Sequence, residues 1–126
     1  MRLVIIESPY AGDIELNLKY LRAAMRDCLL KGEVPFASHA LYTQPGVLDD
    51  SDPQERKLGI EAGFKWAEAH PEAVRVVYVD LGISSGMDEG IRHAHAIGQQ
   101  IEYRELNSFF PEIDALWKTS TGQKPE

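Results

Sequence analysis

The sequence predicts an α/β fold: a single-domain open parallel sheet of four to five strands with helices on both faces. Three observations carry this expectation. Short β-branched runs alternate with stretches whose apolar residues recur at helical spacing. One run, Val74 to Val79, is nearly continuous apolar β-formers with only Arg75 polar, as a strand covered on both faces must be. The 126 residues, 44% hydrophobic and 26% charged, suffice for one core and leave little for a second.

The elements follow in order. Residues 2–6, RLVII, read as a buried strand that stops at Glu7-Ser8-Pro9. From Asp13 a helix is expected, because Ile14, Leu18, Leu21, Met25 and Cys28 or Leu29 share one stripe. Asp13 supplies its N-cap, and Gly32 stands just beyond its end. Val34 to Ala37 is a brief extended stretch. Residues 38–53 then make a long excursion with two prolines and an acidic run at 49–52, and excursions of this length are often functional. A second helix fits 54–69, opened by Pro53 and closed by His70-Pro71, its two glycines implying close packing. After the strand at 74–79, Asp80 to Gly86 forms a small-residue turn into a helix from about Met87 to Ile97, and a last strand lies near Ile101 to Tyr103. Phe109, Phe110, Ile113, Leu116 and Trp117 repeat at helical spacing, so the domain is drawn over 1–118 with a flexible tail at 119–126.

Right-handed crossovers in this order bring three loops to the carboxyl ends of the strands: Ser8 to Gly12, His39 to Pro53 and Asp80 to Gly86. Composition narrows what they hold. Cys28 is the only cysteine, so an internal disulfide and a structural zinc site drop out, and neither metal nor cofactor is expected. His93 and His95 lie two apart on a helix, point about 200° apart, and are expected at the surface rather than on a metal. The acidic run at 49–52 lacks the glycine and distant glutamate of a calcium loop and reads as a solvated lead into a capped helix. A net charge of −7 without a basic cluster argues against polymeric nucleic acid. No apolar run approaches the roughly 20 residues needed to cross a bilayer, and MRLVIIESPY turns acidic too early for a signal peptide, so no membrane partner and a cytoplasmic location are expected. A small phosphorylated ligand fits, since a few N–H groups at a helix N-terminus hold one whatever the net charge.

The turn Asp80 to Gly86 offers two hydroxyls and several backbone N–H groups toward an anion, and reads equally as a phosphate cradle at Ser84, Ser85 and Gly86 or as a tight N-capped turn. Asp80 is either a cap or a carboxylate for the ligand. Tyr10 suits either a sugar or base contact or an aromatic closing the sheet mouth. Gln44 can bond a base edge, and His39 a phosphate, a leaving base or the loop backbone.

The motifs Ser8-Pro9-Tyr10, Gly82-Ile83-Ser84-Ser85-Gly86-Met87 and a helix ending in Ala94 and Gly98 resemble the nucleoside 2-deoxyribosyltransferase-like superfamily. Within it, the likeness is greatest to a small phage and prophage family of largely unassigned function. That family shares Ser8-Pro9-Tyr10-x-Gly12-Asp13, His39, Gln44, Leu48-Asp49-Asp50, Asp52-Pro53, Glu55-Arg56, Leu58-Gly59 and Ser84-x-Gly86-Met87 over about residues 3–104. The resemblance implies a Rossmann-like domain whose glutamate attacks C1′ of a nucleoside or nucleotide, expels the base and passes the sugar to another base or to water. It adds Ser8, Gly12 and Met87 to the ligand-binding residues, gives Ser84 a phosphate contact and so favours a nucleoside 5′-monophosphate, and implies a homodimer or higher homo-oligomer. The glutamate's place, eight residues before the glycine that ends the helix, is Gly90 here. Glu89 and Asp88 precede it, each turned by about 100° per step. The aspartate expected at the start of the third strand is Val74, with Glu72 two residues before. Three readings follow: a hydrolase or transferase using Glu89, Asp88 or Asp80, a binding module of the same fold that has no reaction, or a structural or protein-interaction role that uses the C-terminal apolar stripe.

Overall fold

A computed structural model describes residues 1–106 of the chain. Four parallel strands, β1 (Arg2–Glu7), β2 (Glu33–Phe36), β3 (Val74–Tyr78) and β4 (Ile101–Arg104), form one open sheet in the order β2-β1-β3-β4. The helices are α1 (Ile14–Leu30), the single turn α2 (Ser38–Leu41), α3 (Pro53–Ala69) and α4 (Ser85–Ala96). The fold is thus the expected α/β class, a Rossmann-like sheet with helices on both faces. The stripe from Phe109 to Trp117 and the boundary drawn at 118 lie outside the described residues.

Strand periodicity sorts the core. Val4 and Ile6 of β1 and Val74, Val76 and Tyr78 of β3 face α1, where they pack with Tyr20, Leu21, Ala24 and Cys28. The alternate residues face the other way: Ile5 packs with Ala67 of α3, and Val77 with Met87 and Ile91 of α4. Every residue of β3 is buried, as its composition requires. The chain leaves β1 toward β2 on one side and β3 toward β4 on the other, so the strand order reverses between β1 and β3, where such sheets open a crevice.

The caps set the element ends. Asp13 accepts from the Leu16 N–H at 3.1 Å, and Gly32 takes φ +76°, a turn that a side chain would strain. Asp52 accepts from the Gln54 N–H at 2.9 Å, so the acidic run does lead into a capped helix. Most element ends fall within a residue of expectation, and the starts of β2 and α4 and the end of β1 bear on the site. β1 extends through Glu7, and β2 begins at Glu33. α4 begins at Ser85 rather than Met87, because Ser84 accepts from the Met87 N–H at 3.2 Å and is itself the N-cap. The turn α2 was not expected at all, since Ala37 caps it without a side-chain hydrogen bond and leaves no sequence signal.

The two glycines of α3 explain how α2 is held. A Cβ on Gly63 would fall 2.7 Å from Ser38 Oγ and 2.8 Å from its Cβ, and one on Gly59 would fall 3.3 Å from Leu48 Cδ1. The excursion after β2 therefore lies directly on α3. No helix among the described residues is long and apolar enough to cross a membrane.

Gly63→Ala is expected to push α2 outward and cost about 1–3 kcal/mol, the usual range for overpacking. Urea unfolding measures it, and an unshifted midpoint with an unchanged slope would mean that α2 yields without resistance.

Candidate functional site

The crevice at the β1/β3 switch is a cleft to which all three expected loops contribute. The loop after β1 brings Ser8, Tyr10 and Ala11. The α2 turn and the excursion bring Ser38, His39, Tyr42, Thr43, Leu48 and Asp50, and the start of α4 brings Ser84 to Met87. α3 closes one side with Glu55, Arg56, Ile60 and Phe64, and Glu7, Arg75 and Gly90 line the depth of the cleft.

Glu7 and Arg75 meet there because of register. Ile5 pairs with Arg75, so Glu7, two residues on, projects from the same sheet face as Arg75. Arg75 is 1% exposed. Its Nη1 donates to Glu7 Oε2 at 3.1 Å and to the Gly90 carbonyl at 2.6 Å, and its Nε donates to Gln99 Oε1 at 3.2 Å. Its Nη2 lies 3.3 Å from His93 Nδ1, and since a guanidinium only donates, that nitrogen accepts and Nε2 carries the proton toward Glu68 at 3.0 Å. A Cβ on Gly90 would fall inside the van der Waals envelope of the Glu7 carboxyl carbon and both its oxygens. The helix therefore leaves an opening at position 90 that a carboxyl from β1 fills. Burial pushes the Glu7 carboxyl up to about 7, with the Arg75 charge and hydrogen bond opposing it.

The more exposed part of the cleft is polar as well. Arg56 Nη2 lies 3.2 Å from where a Gly86 Cβ would stand, so its guanidinium covers the N-terminal turn of α4, while Nη1 holds Asp50 at 2.9 Å. Ser84 Oγ serves the cap, and the Ser85 hydroxyl is exposed. Asn17 donates to the carbonyls of Tyr10 at 2.9 Å and Ala11 at 3.1 Å, which fixes the loop carrying Tyr10. Ser8 Oγ and His39 Nε2 share a hydrogen bond of 2.7 Å, and burial pushes the imidazole down to about 4, so it is neutral near pH 7.

Of the expected ligand-binding residues, Ser8, Tyr10, His39, Ser84, Ser85, Gly86 and Met87 line this cleft. Gln44 and Gly12 are not on its wall: the Gln44 amide donates back to the Ala40 carbonyl at 2.8 Å, and Gly12 takes φ +99° in an exposed turn. The three expected carboxylates are elsewhere too. Glu89 is exposed on α4, and Asp88 pairs with Arg92 one turn on at 2.7 Å. Asp80 ties the chain after β4 to the sheet, accepting from the Leu106 N–H at 2.8 and 2.9 Å and from the Tyr20 hydroxyl. Starting α4 at Ser85 does not bring Glu89 inward. His93 is not the surface residue expected: its ring stacks on Phe64 at 3.9 Å, and its side chain is only 12% exposed. No metal-binding group of His, Cys, Asp or Glu occurs among the described residues.

Sequence reasoning missed Glu7, Arg75 and Arg56. A signal existed for the first two. An arginine in an otherwise apolar buried strand requires an acceptor on its own face, and Glu7 is the acidic residue at the end of the neighbouring strand run.

The chain belongs to a family defined by residues 2–104, a domain of unknown function (DUF7768). No curated protein and no solved structure matches it.

In protein labelled at glutamate carboxyl carbons, the Glu7 resonance is expected to titrate with a midpoint near 7. Arg75→Gln raises it further, since the guanidinium is what opposes burial. A midpoint at the ordinary carboxylate value would mean that the carboxyl is solvated.

Proposed function

We propose that the cleft binds a nucleoside 5′-monophosphate and breaks its N-glycosidic bond through a carboxylate nucleophile, in the manner of the nucleoside 2-deoxyribosyltransferase-like superfamily that the sequence resembles. The observation that carries this reading is the Glu7 carboxyl seated against Gly90. Position 90 is where the resemblance expects the nucleophilic glutamate, and the carboxyl found there comes from β1. Glu7 takes the part first assigned to Glu89 or Asp88.

The chemistry follows from the surroundings. A Glu7 oxygen attacks C1′, the C1′–N bond breaks with its electron pair leaving on the base, and a glycosyl ester forms. Arg75 holds the second oxygen and keeps the carboxyl from turning away. The N–H groups opening α4, with Ser84, Ser85, Gly86 and the Arg56 guanidinium, suit a 5′-phosphate. Tyr10 lies where it can cover the sugar or base. The same resemblance proposes a homodimer or higher homo-oligomer in a phage or prophage setting, and the sequence's lack of a long apolar run supports a cytoplasmic location.

A second reading rests on the placement of Asp88 and Glu89 outside the cleft: a module that binds the nucleotide and leaves it intact, with Glu7 only neutralising Arg75.

Incubation with a panel of nucleoside 5′-monophosphates and their deoxy counterparts, with free base followed by chromatography and binding by thermal shift, separates the two. The proposal expects base release that Glu7→Gln abolishes and Glu89→Gln leaves unchanged. It also expects kcat/KM to fall tenfold per pH unit well below about 7, because the protonated carboxyl of the free protein is no nucleophile. A thermal shift without release of base from any member of the panel overturns it in favour of binding alone.

A further inference from the structure

One polar pair in the cleft has no task in the first half of this reaction. Ser8 is buried at the end of β1, and its hydroxyl lies 2.7 Å from His39 Nε2. The pair is held firmly. His39 sits on the single turn of α2, which lies so close to α3 that Gly63 has no room for a side chain, and Thr43 Oγ1 donates to the His39 carbonyl at 2.6 Å. Among the described residues Ser8 is the only hydrogen-bond partner of the imidazole ring. When Nε2–H donates to the serine oxygen, Nδ1 is left with a free lone pair, on a residue that lines the cleft.

The carboxylates of the cleft and the nearby His93 are committed. Once Glu7 carries the sugar it is an ester and can accept no proton. Asp50 is paired with Arg56 at 2.9 Å, and Glu55 accepts from the Asp49 N–H at 3.0 Å. His93 spends both nitrogens on Arg75 and Glu68. Burial keeps His39 neutral, its lone pair available at any pH above about 4.

Resting on the glycosyl transfer proposed above, we propose that His39 is the general base of its second half and that Ser8 is the positioning residue that sets its tautomer. A water oxygen bonds to C1′ as the C1′–O bond to Glu7 breaks, the electron pair returning to the carboxylate. The water's proton passes to His39 Nδ1 and from there to solvent. The acceptor is thus water, and the reaction a hydrolysis.

Rapid-quench kinetics on the base-releasing substrate tests this with His39→Gln. The expected result is a burst of about one equivalent of base per chain at the unaltered rate, followed by turnover slowed by about 10²–10⁴-fold, the usual loss for a general base. Mass spectrometry should then find the sugar phosphate on the peptide bearing Glu7. Azide, which attacks without needing a base, should restore turnover. Ser8→Ala should slow turnover with its burst intact, and Ser8→Thr should recover it; this pair carries the test if His39→Gln does not fold. Turnover of His39→Gln within threefold of the unaltered protein overturns the proposal, as does loss of burst and turnover to the same degree. In both cases base release by the unaltered protein leaves the glycosidic reading standing, whereas no release by that protein overturns both.

Discussion

A guanidinium at the centre of a parallel sheet, 1% exposed, has to be matched by acceptors or the fold cannot close over it, and Arg75 finds four. Those four come from three places: Glu7 at the end of β1, the Gly90 carbonyl and His93 on α4, and Gln99 just before β4. Each acceptor is constrained in return. Glu7 has to turn inward beneath a helix, and that helix has to present glycine where the carboxyl comes up. Gln99 is fixed a second time by donating to the His70 carbonyl at 3.3 Å, which ties the end of α3 to the start of β4. The arginine thus joins β1, β3, α4 and two connections, and the floor of the cleft is a by-product of satisfying it.

The opposite face shows what an arginine-bound carboxylate looks like when its role is structural. Glu33, at the start of β2, receives Arg104 through both oxygens at 2.7 Å and Arg2 at 2.6 Å, and those hydrogen bonds hold its carboxyl down at about 2. Arg104 also reaches Tyr78, whose hydroxyl donates to Asp27 at 2.7 Å. Glu7 has one arginine shared among four acceptors, and burial prevails. Two carboxylates on one sheet are driven in opposite directions, Glu33 down by its ion pairs and Glu7 up by its burial.

The alternation of β-branched runs and helical stripes was enough for the sheet, because β1 and β3 are apolar on both faces and Asp13 and Asp52 are unambiguous caps. The α2 turn was not legible, since its cap is an alanine and its position depends on the groove left by Gly63, a contact distant in sequence. The loops of the cleft could be located because topology fixes which strand ends converge. The carboxyl in its depth was not legible, because helix spacing along α4 points to Asp88 and Glu89 while Glu7 arrives from β1. His93 was misplaced for a related reason: the period of α4 does not reveal that Phe64 and Arg75 enclose one side of it. What a sequence pattern records is the element that carries a residue, whereas a reaction needs only the point in space.

That point in space is held against the stability of the fold. The carboxyl of Glu7, raised from the ordinary value of 4.5 to about 7, favours the folded state below pH 4.5, and this contribution is lost as pH rises through 7. The imidazole of His39, lowered from 6.5 to about 4, contributes above pH 6.5 and loses that contribution as pH falls through 4. The two slopes oppose each other between about 4.5 and 6.5, and the cause is common to both, since burial disfavours the charged form of either group. A fold selected only for stability would solvate the carboxyl or give it a second arginine, as it does for Glu33. Here the sheet instead holds an under-compensated carboxyl and a neutral imidazole in one crevice, a placement that costs stability near neutral pH and is the one that the nucleophile and base proposed above would require.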